Sequence, residues 1–437
     1  MYVADSRAST PTASVEGTAR RPRAGRYRTT IAPTVLALGT VSLITDVSSE
    51  MVTAVLPLYL VTGLGLSPLG FGLLDGVYNG FSALVRLAGG HLADRGGGRH
   101  KWVAGLGYGI SAACKPLLLL AHTLTPIGLI LAADRTGKGL RTAPRDALIS
   151  LSATPETRGR AFGVHRAMDT AGALLGPLVA FLILRATVDG YDAVFTVSFC
   201  VAVLGVVVLV LFVPGGSTGR PAPPQSLTAP EPPPQRPTLR AALALLAHRD
   251  LRRITLCALL LGLATVSDSF VYLLLQHRLG VPDRWFALLP LGTAAAFLLL
   301  ALPLGRLADR LGRRRVFVAG HGALLLAYAL LLTSWHGPAL PYAVLLLHGG
   351  FYAATDGVLM AAASENVPER LRSSGLAVVQ TGQALARFAC SLGFGAAWTL
   401  WGDRTALLSA TVALAACAAF SAVSLRPARA VKEGLTT

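Results

Sequence analysis

The chain has 437 residues, 53% of them hydrophobic and 14% charged, with a formal net charge of +17. Soluble domains carry about a quarter charged residues, so this composition excludes an ordinary globular protein and indicates a polytopic membrane protein. The apolar runs are long and rich in Gly, Ala and Leu without polar alternation, which predicts helical spans and not barrel strands.

In chain order, residues 1–30 form a basic tail carrying Arg20, Arg21, Arg23, Arg26 and Arg28, with no cleavable signal peptide expected. Twelve spans follow at 33–60, 69–92, 103–122, 126–148, 160–185, 192–213, 251–276, 285–304, 316–334, 341–363, 374–400 and 403–425. The Pro-rich stretch 215–237 cannot hold a helix and reads as an extended linker. The expected organisation is a tail (1–30), a six-helix bundle (31–213), a linker (214–250), a second six-helix bundle (251–425) and a tail (426–437). Arg and Lys concentrate in alternate loops, with Arg95, Arg99, Lys101, Arg158, Arg160, Arg310 and Arg313–Arg315 on one side and little beyond Arg185, Arg278, Arg284 and Arg404 on the other. That asymmetry predicts a bacterial-type plasma membrane protein with both termini and the linker cytoplasmic. It also absorbs most of the excess charge, so no nucleic-acid partner is expected.

The first span carries Asp46 and Glu50 one helical turn apart, with Ser49 beside them. A desolvated carboxylate can bind and release a proton near neutral pH, and a neighbouring Lys or Arg opposes that uptake. The fourth span, LILAADRTGKGLRTAPRD at 129–146, places Asp134, Lys138, Arg141 and Arg145 within about 60° of one another on one face. Charges at mid-bilayer face a bundle interior or a water-filled cavity. Gly137, Gly139 and Pro144 predict a weak or broken helix near its end. The alternative readings are cations snorkelling to the interface and static ion pairs between the first and fourth spans. Asp75, Arg86 and Lys115 read as packing or interfacial groups, and His348 as a satisfied buried histidine. The five cysteines lie in apolar runs and read as packing thiols, with no metal or disulfide spacing.

An internal repeat divides the chain. Gly90-His-Leu-Ala-Asp94-Arg95 recurs 215 residues later as Gly305-Arg-Leu-Ala-Asp309-Arg310, and Gly65 matches Gly280 at the same offset. With these residues the chain resembles the major facilitator superfamily over essentially all of 31–425. The loop signature G-x-L-x-D-R-x-G-R-R is intact at Gly305–Arg314, while the first copy needs one extra residue before Arg99. The resemblance implies an all-α fold of twelve helices in two six-helix pseudo-repeats that rock about a central site. It makes Gly90, Asp94, Arg95, Gly305, Asp309, Arg310 and Arg314 gating-loop residues.

The fourth span is similar to the family's R-x-x-Q-G-x-G motif at Arg135 and Gly139, with Lys138 and Arg141 departing from it. The fifth span, with Gly163, Gly172, Gly176 and Pro177, resembles the antiporter motif of drug:proton exporters, its closing Gly-Gly replaced by Ala180-Phe181. That motif implies sealing of the cytoplasmic half of the cavity; generic small-residue helix packing is the competing reading. The resemblance gives Asp46, Glu50 and Arg135 roles in proton coupling and places Lys138, Arg141, Asp268 and Asp356 at a substrate cavity.

The expected function is a proton-coupled secondary transporter exporting a small molecule by exchange. The alternatives are uptake or exchange of an organic anion through the fourth-span cations and, remotely, a non-transporting membrane sensor. Protons, a small-molecule substrate and the lipid bilayer are the expected partners of a monomer. No enzyme signature, cofactor or metal site is expected.

Overall fold

The computed structural model describes residues 32–95, 100–154, 157–187, 190–214, 247, 249–334, 337–355 and 372–424, without the side chains of 82–84, 86–95, 143, 250, 313 and 372–378. The tails and the 215–237 stretch lie outside these residues, as does Asp356.

All described regular structure is helical. The first half holds α1 (Pro33–Leu58), α2 (Pro68–Arg95), α3 (His100–Leu120), α4 (Leu124–Leu151), α5 (Arg158–Ala186) and α6 (Gly190–Phe212). The second holds α7 (Arg249–Ala264), α8 (Asp268–Leu279), the short α9 (Asp283–Phe286), α10 (Leu289–Leu311), α11 (Arg313–Leu332), α12 (Leu340–Thr355) and α13 (Arg372–Ser424). Among the described residues eight helical segments are long and apolar enough to cross a membrane. The chain is therefore a multi-pass membrane protein. Two expected spans, 374–400 and 403–425, correspond to two helices within α13 that meet at Gly402 (φ 81°, ψ 164°), where only glycine turns without strain. The expected span 251–276 is two pieces, α7 and α8, with an irregular stretch at 265–267.

Local chemistry sets the element ends. Pro33 opens α1, where its missing N–H costs nothing, and α1 runs into a π-turn at Tyr59–Gly63. Gly65 (φ 66°) turns the chain towards α2, and Gly280 (φ 64°) ends α8 in the same left-handed conformation. The repeat seen in the sequence thus recurs as a backbone geometry that residues with a Cβ avoid.

In the first half α1 packs on α5 and α6, and α4 on α2 and α3. In the second, α10 and α11 pack on α12, and α7 on α13. The two sets meet where α2 lies against α13. Gly72, Gly76 and Gly80 bring the helices so close that a Cβ on Gly72 would sit 2.4 Å from the Ser391 carbonyl oxygen, and one on Gly76 would sit 3.0 Å from the Phe388 ring. Gly395 answers from α13, 2.4 Å from the Pro68 carbonyl oxygen by the same measure. Among the described residues, the hydrogen bonds and ring contacts joining the sets lie towards the face bearing the α1–α2 turn. They include Leu69 N–H to Thr399 Oγ1 at 3.0 Å, Ser391 to Asp75 at 2.6 Å, and the ring pairs Phe71–Phe270 and Phe181–Trp285.

Candidate functional site

The charged stripe of α4 lies on a continuous helix. The expected break at Gly137, Gly139 and Pro144 is absent, because the glycines serve packing: a Cβ on Gly137 would sit 2.6 Å from the Gly107 carbonyl oxygen, and one on Gly139 would sit 2.4 Å from Val85. Close tertiary contact outweighs the roughly 1 kcal/mol propensity cost of each glycine.

The stripe feeds two clusters. The first lies between α1, α4 and α5. Arg141 Nη2 donates to Asp46 Oδ1 at 3.0 Å, and Lys138 Nζ lies 3.8 Å from Glu50 Oε1. Arg145 pairs with Asp146 at 3.0 Å, lies 3.7 Å from Asp169, and reaches Ser42 Oγ at 3.4 Å. Ser42 shares a 2.9 Å hydrogen bond with His165, and Asp169 stands near enough to Asp46 for their charges to act on each other. Arg141 is 3% exposed and packs over the Tyr108 ring, 4.6 Å from its centre. The Lys138 side chain keeps 35% of its surface open.

Two residues of the fifth-span motif build this cluster. A Cβ on Gly172 would sit 2.6 Å from the Leu43 carbonyl oxygen and 3.2 Å from Asp46 Cβ; one on Gly176 would sit 2.7 Å from Glu50 Cβ. The motif glycines therefore press α5 onto α1 at the two acids, as the small-residue packing reading expects. Gly163 has open space around it, and Pro177 is buried within α5.

The second cluster lies between α2, α3 and α4. Arg135 pairs with its neighbour Asp134 at 2.5 Å and stacks 3.9 Å from the centre of the Tyr78 ring. Asp134 accepts a hydrogen bond from Ser111, whose carbonyl oxygen accepts one from the buried Lys115 at 3.0 Å. Tyr78 bonds Thr53 of α1 at 2.8 Å. A small pocket opens here, lined by Ser49, Thr53, Tyr78, Lys115, Asp134 and Arg135. Arg135 thus makes its direct contacts away from Asp46, while the charge of Glu50 still reaches it and Tyr78.

In the second half Asp268 opens α8 just after the irregular 265–267 stretch. Tyr352 donates to Asp268 Oδ1 at 2.5 Å, and the fully buried His348 brings Nε2 to 3.3 Å from the same oxygen. The break is stabilised by Val266 N–H donating to Tyr328 Oη at 2.9 Å and by Cys390 Sγ donating to the Thr265 carbonyl at 3.2 Å. Of the gating-loop residues, Gly305, Asp309 and Arg310 are exposed at the end of α10, and Arg314 donates to the Ala422 carbonyl. The α2 backbone is helical through Gly90, Asp94 and Arg95, whose side chains lie outside the description.

The sequence reading gave no role to Asp169, His165 or Ser42, because a contact between α1 and α5 has no signature in spacing along either helix. It took Asp75 for a packing group. Chemically, the first cluster sets Asp46, Glu50, Asp146 and Asp169 against Lys138, Arg141, Arg145 and Arg166, and Arg145 and Asp169 each face two partners of opposite charge.

Comparison with known proteins agrees with this architecture. The family model described as Major Facilitator Superfamily matches residues 38–391 and 285–436. An uncharacterized MFS-type transporter of Methanocaldococcus jannaschii is 30% identical over 390 residues, covering 87% of this chain and 92% of the relative. An uncharacterized protein of Mycobacterium bovis is 34% identical over 157 residues, 36% of this chain and 38% of its own. Among solved structures, the nucleoside transporter NupG superposes with a TM-score of 0.75 at 14% identity, covering 90% of this chain and all of that one. A bacterial homologue of the lysosomal transporter Spinster, inward-facing and unoccupied, gives 0.70 at 16% identity, covering 90% of this chain and 96% of that one.

The chain belongs to the Major Facilitator Superfamily. It is a membrane transporter and not an enzyme.

Proposed function

We propose that this transporter exchanges protons for a small molecule, exporting the latter by alternating access between two six-helix bundles. The supporting observation is the buried Asp46–Arg141 pair, flanked by Glu50–Lys138, on the helices that the fifth-span glycines draw together. In this reading Asp46 takes up a proton, its hold on Arg141 loosens, and the freed guanidinium rearranges the cluster. The loss of the proton restores the pair. Glu50 and Lys138 act beside them, and Asp268 orients the substrate from the second half. Both termini face the cytoplasm of a bacterial-type plasma membrane, and the close contact near the α1–α2 turn then seals the outer face.

Lys138 favours a second reading. Its partner is 3.8 Å away and about a third of its side chain is open, so it can hold the carboxylate or phosphate of an organic anion, whereas Arg141 is consumed by Asp46.

The test is lumenal pH in proteoliposomes under an imposed pH gradient, with lipophilic cations in one series and small organic anions in another. Proton movement triggered by cations and abolished in Asp46→Asn supports exchange export. Movement triggered by anions alone and lost in Lys138→Gln selects the second reading. Silence in both series leaves the family assignment standing and proton coupling without support.

A further inference from the structure

Asp75 is the acid that neither reading uses, and its setting is unusual. It sits two turns into α2, 5% exposed, on the helix that meets α13 through glycines. Ser391 Oγ, itself 1% exposed, donates to Asp75 Oδ2 at 2.6 Å across the junction between the two halves.

The groups facing Asp75 are known from each neighbouring element. From α13 they are Ser391 and Cys390; from α8 and the break before it, Ser267, Asp268 and Ser269. From α2 itself Tyr78 stands one turn on, and Asn79 donates to the Asp75 carbonyl oxygen; from α1 Thr53 lines the same small cavity. Among the described residues no lysine, arginine or histidine pairs with Asp75. Arg135 is held by Asp134 and Tyr78, and Arg387, one turn before Ser391, acts on Asp268. The charge that does reach Asp75 is that of another acid, Asp268.

A carboxylate removed from water without a cation, with a second acid nearby, is costly in a way that the three serine hydroxyls facing it do not offset. A neutral carboxylic acid in the same place costs little and still accepts from Ser391. Asparagine would serve as well for a purely structural bond. An acid, unlike asparagine, can ionise when the junction parts and water enters.

We infer that Asp75 is a second proton-binding site of this transporter, built into the contact between its halves, and that the face bearing the α1–α2 turn closes when Asp75 is protonated and opens when it is ionised. This site is separate from the Asp46 cluster and does not rest on coupling at Asp46. The sign follows from the thermodynamic link. The closed state binds one proton more than the open state, so the closed-to-open ratio falls as pH rises, by at most ~10-fold per pH unit for one proton.

The experiment is electron-electron resonance between nitroxides at positions 67 and 404, both exposed near this junction, in the full-length protein in lipid nanodiscs with Cys200 and Cys417 replaced. The expected result is a short-distance population that gives way to a longer one as pH rises in the otherwise unmodified protein. Asp75→Asn stays at the short distance throughout, and Ser391→Ala, which keeps the acid but removes its donor, opens at lower pH. Asp46→Asn keeps the pH response, which separates this site from the one proposed for exchange. A distance that does not change with pH, an Asp75→Asn profile that follows the unmodified one, or a response lost in Asp46→Asn overturns the inference. Asp75→Glu, an acid at the same place, restores pH dependence lost in Asp75→Asn; its failure to do so also counts against it.

Discussion

Breaking the Asp46–Arg141 pair from either side has unequal consequences, and the inequality can be worked out from the partners each residue keeps. Asp46→Asn leaves Arg141 3% exposed, over the Tyr108 ring, with its 3.0 Å acceptor neutralised. Removing one partner of a buried pair costs about 3–5 kcal/mol, because the remaining charge stays desolvated. Arg141→Gln leaves Asp46 with Lys138 and Arg145 still acting on it. Its loss is expected at about half that range or less. The double variant buries two neutral amides and should recover much of the stability while remaining inactive. The assay is chemical or thermal unfolding in detergent of the four proteins of the cycle, with a coupling term of about 1–3 kcal/mol expected between the sites. Equal losses in the two single variants would refute the argument from spare cations, and strictly additive losses would show that the pair does not carry the energy assigned to it.

Three further outcomes are expected. Gly176→Ala pushes a methyl to within 2.7 Å of Glu50 Cβ and 2.8 Å of the Val47 carbonyl oxygen, costing about 1–3 kcal/mol, whereas Gly163→Ala, exposed in α5 with open space around it, stabilises by up to about 1 kcal/mol; unfolding midpoints compare them. Tyr328→Phe strips the acceptor from the Val266 N–H at the α7–α8 break and lowers stability by about 1–3 kcal/mol, seen as faster amide exchange at 265–267 in hydrogen-exchange mass spectrometry. Asp134→Asn leaves Arg135 and Lys115 as buried neighbours without their shared acid, and is expected to cost about 3 kcal/mol or more in the same unfolding assay.

Much of the fold was legible in the sequence because membrane helices are written in long local runs. The recurrence of Gly65 at Gly280 was visible as a repeat and proved to be a shared left-handed backbone position. The acids of α1 and the cations of α4 were legible as faces of single helices, since position on a helix follows from spacing alone. What spacing could not tell was which neighbour each face meets. Arg135 and Lys138 are three residues apart, yet one turns to Tyr78 of α2 and the other to Glu50 of α1. Gly137 looked like a helix weakness because propensity is local, while its use against Gly107 is a fact about another helix. Asp75 was passed over for the same reason, its partner lying 316 positions away in the chain.

The single bend at Gly402 has a mechanical consequence. The arm at 372–401 packs on α2, and the arm at 403–424 turns Leu408, Val412 and Val423 outward, 53%, 63% and 60% exposed, where lipid chains would lie. One residue joins the arms, so the backbone dihedrals of Gly402 are the sole internal joint between the helix that meets α2 and the helix that turns its apolar side chains outward.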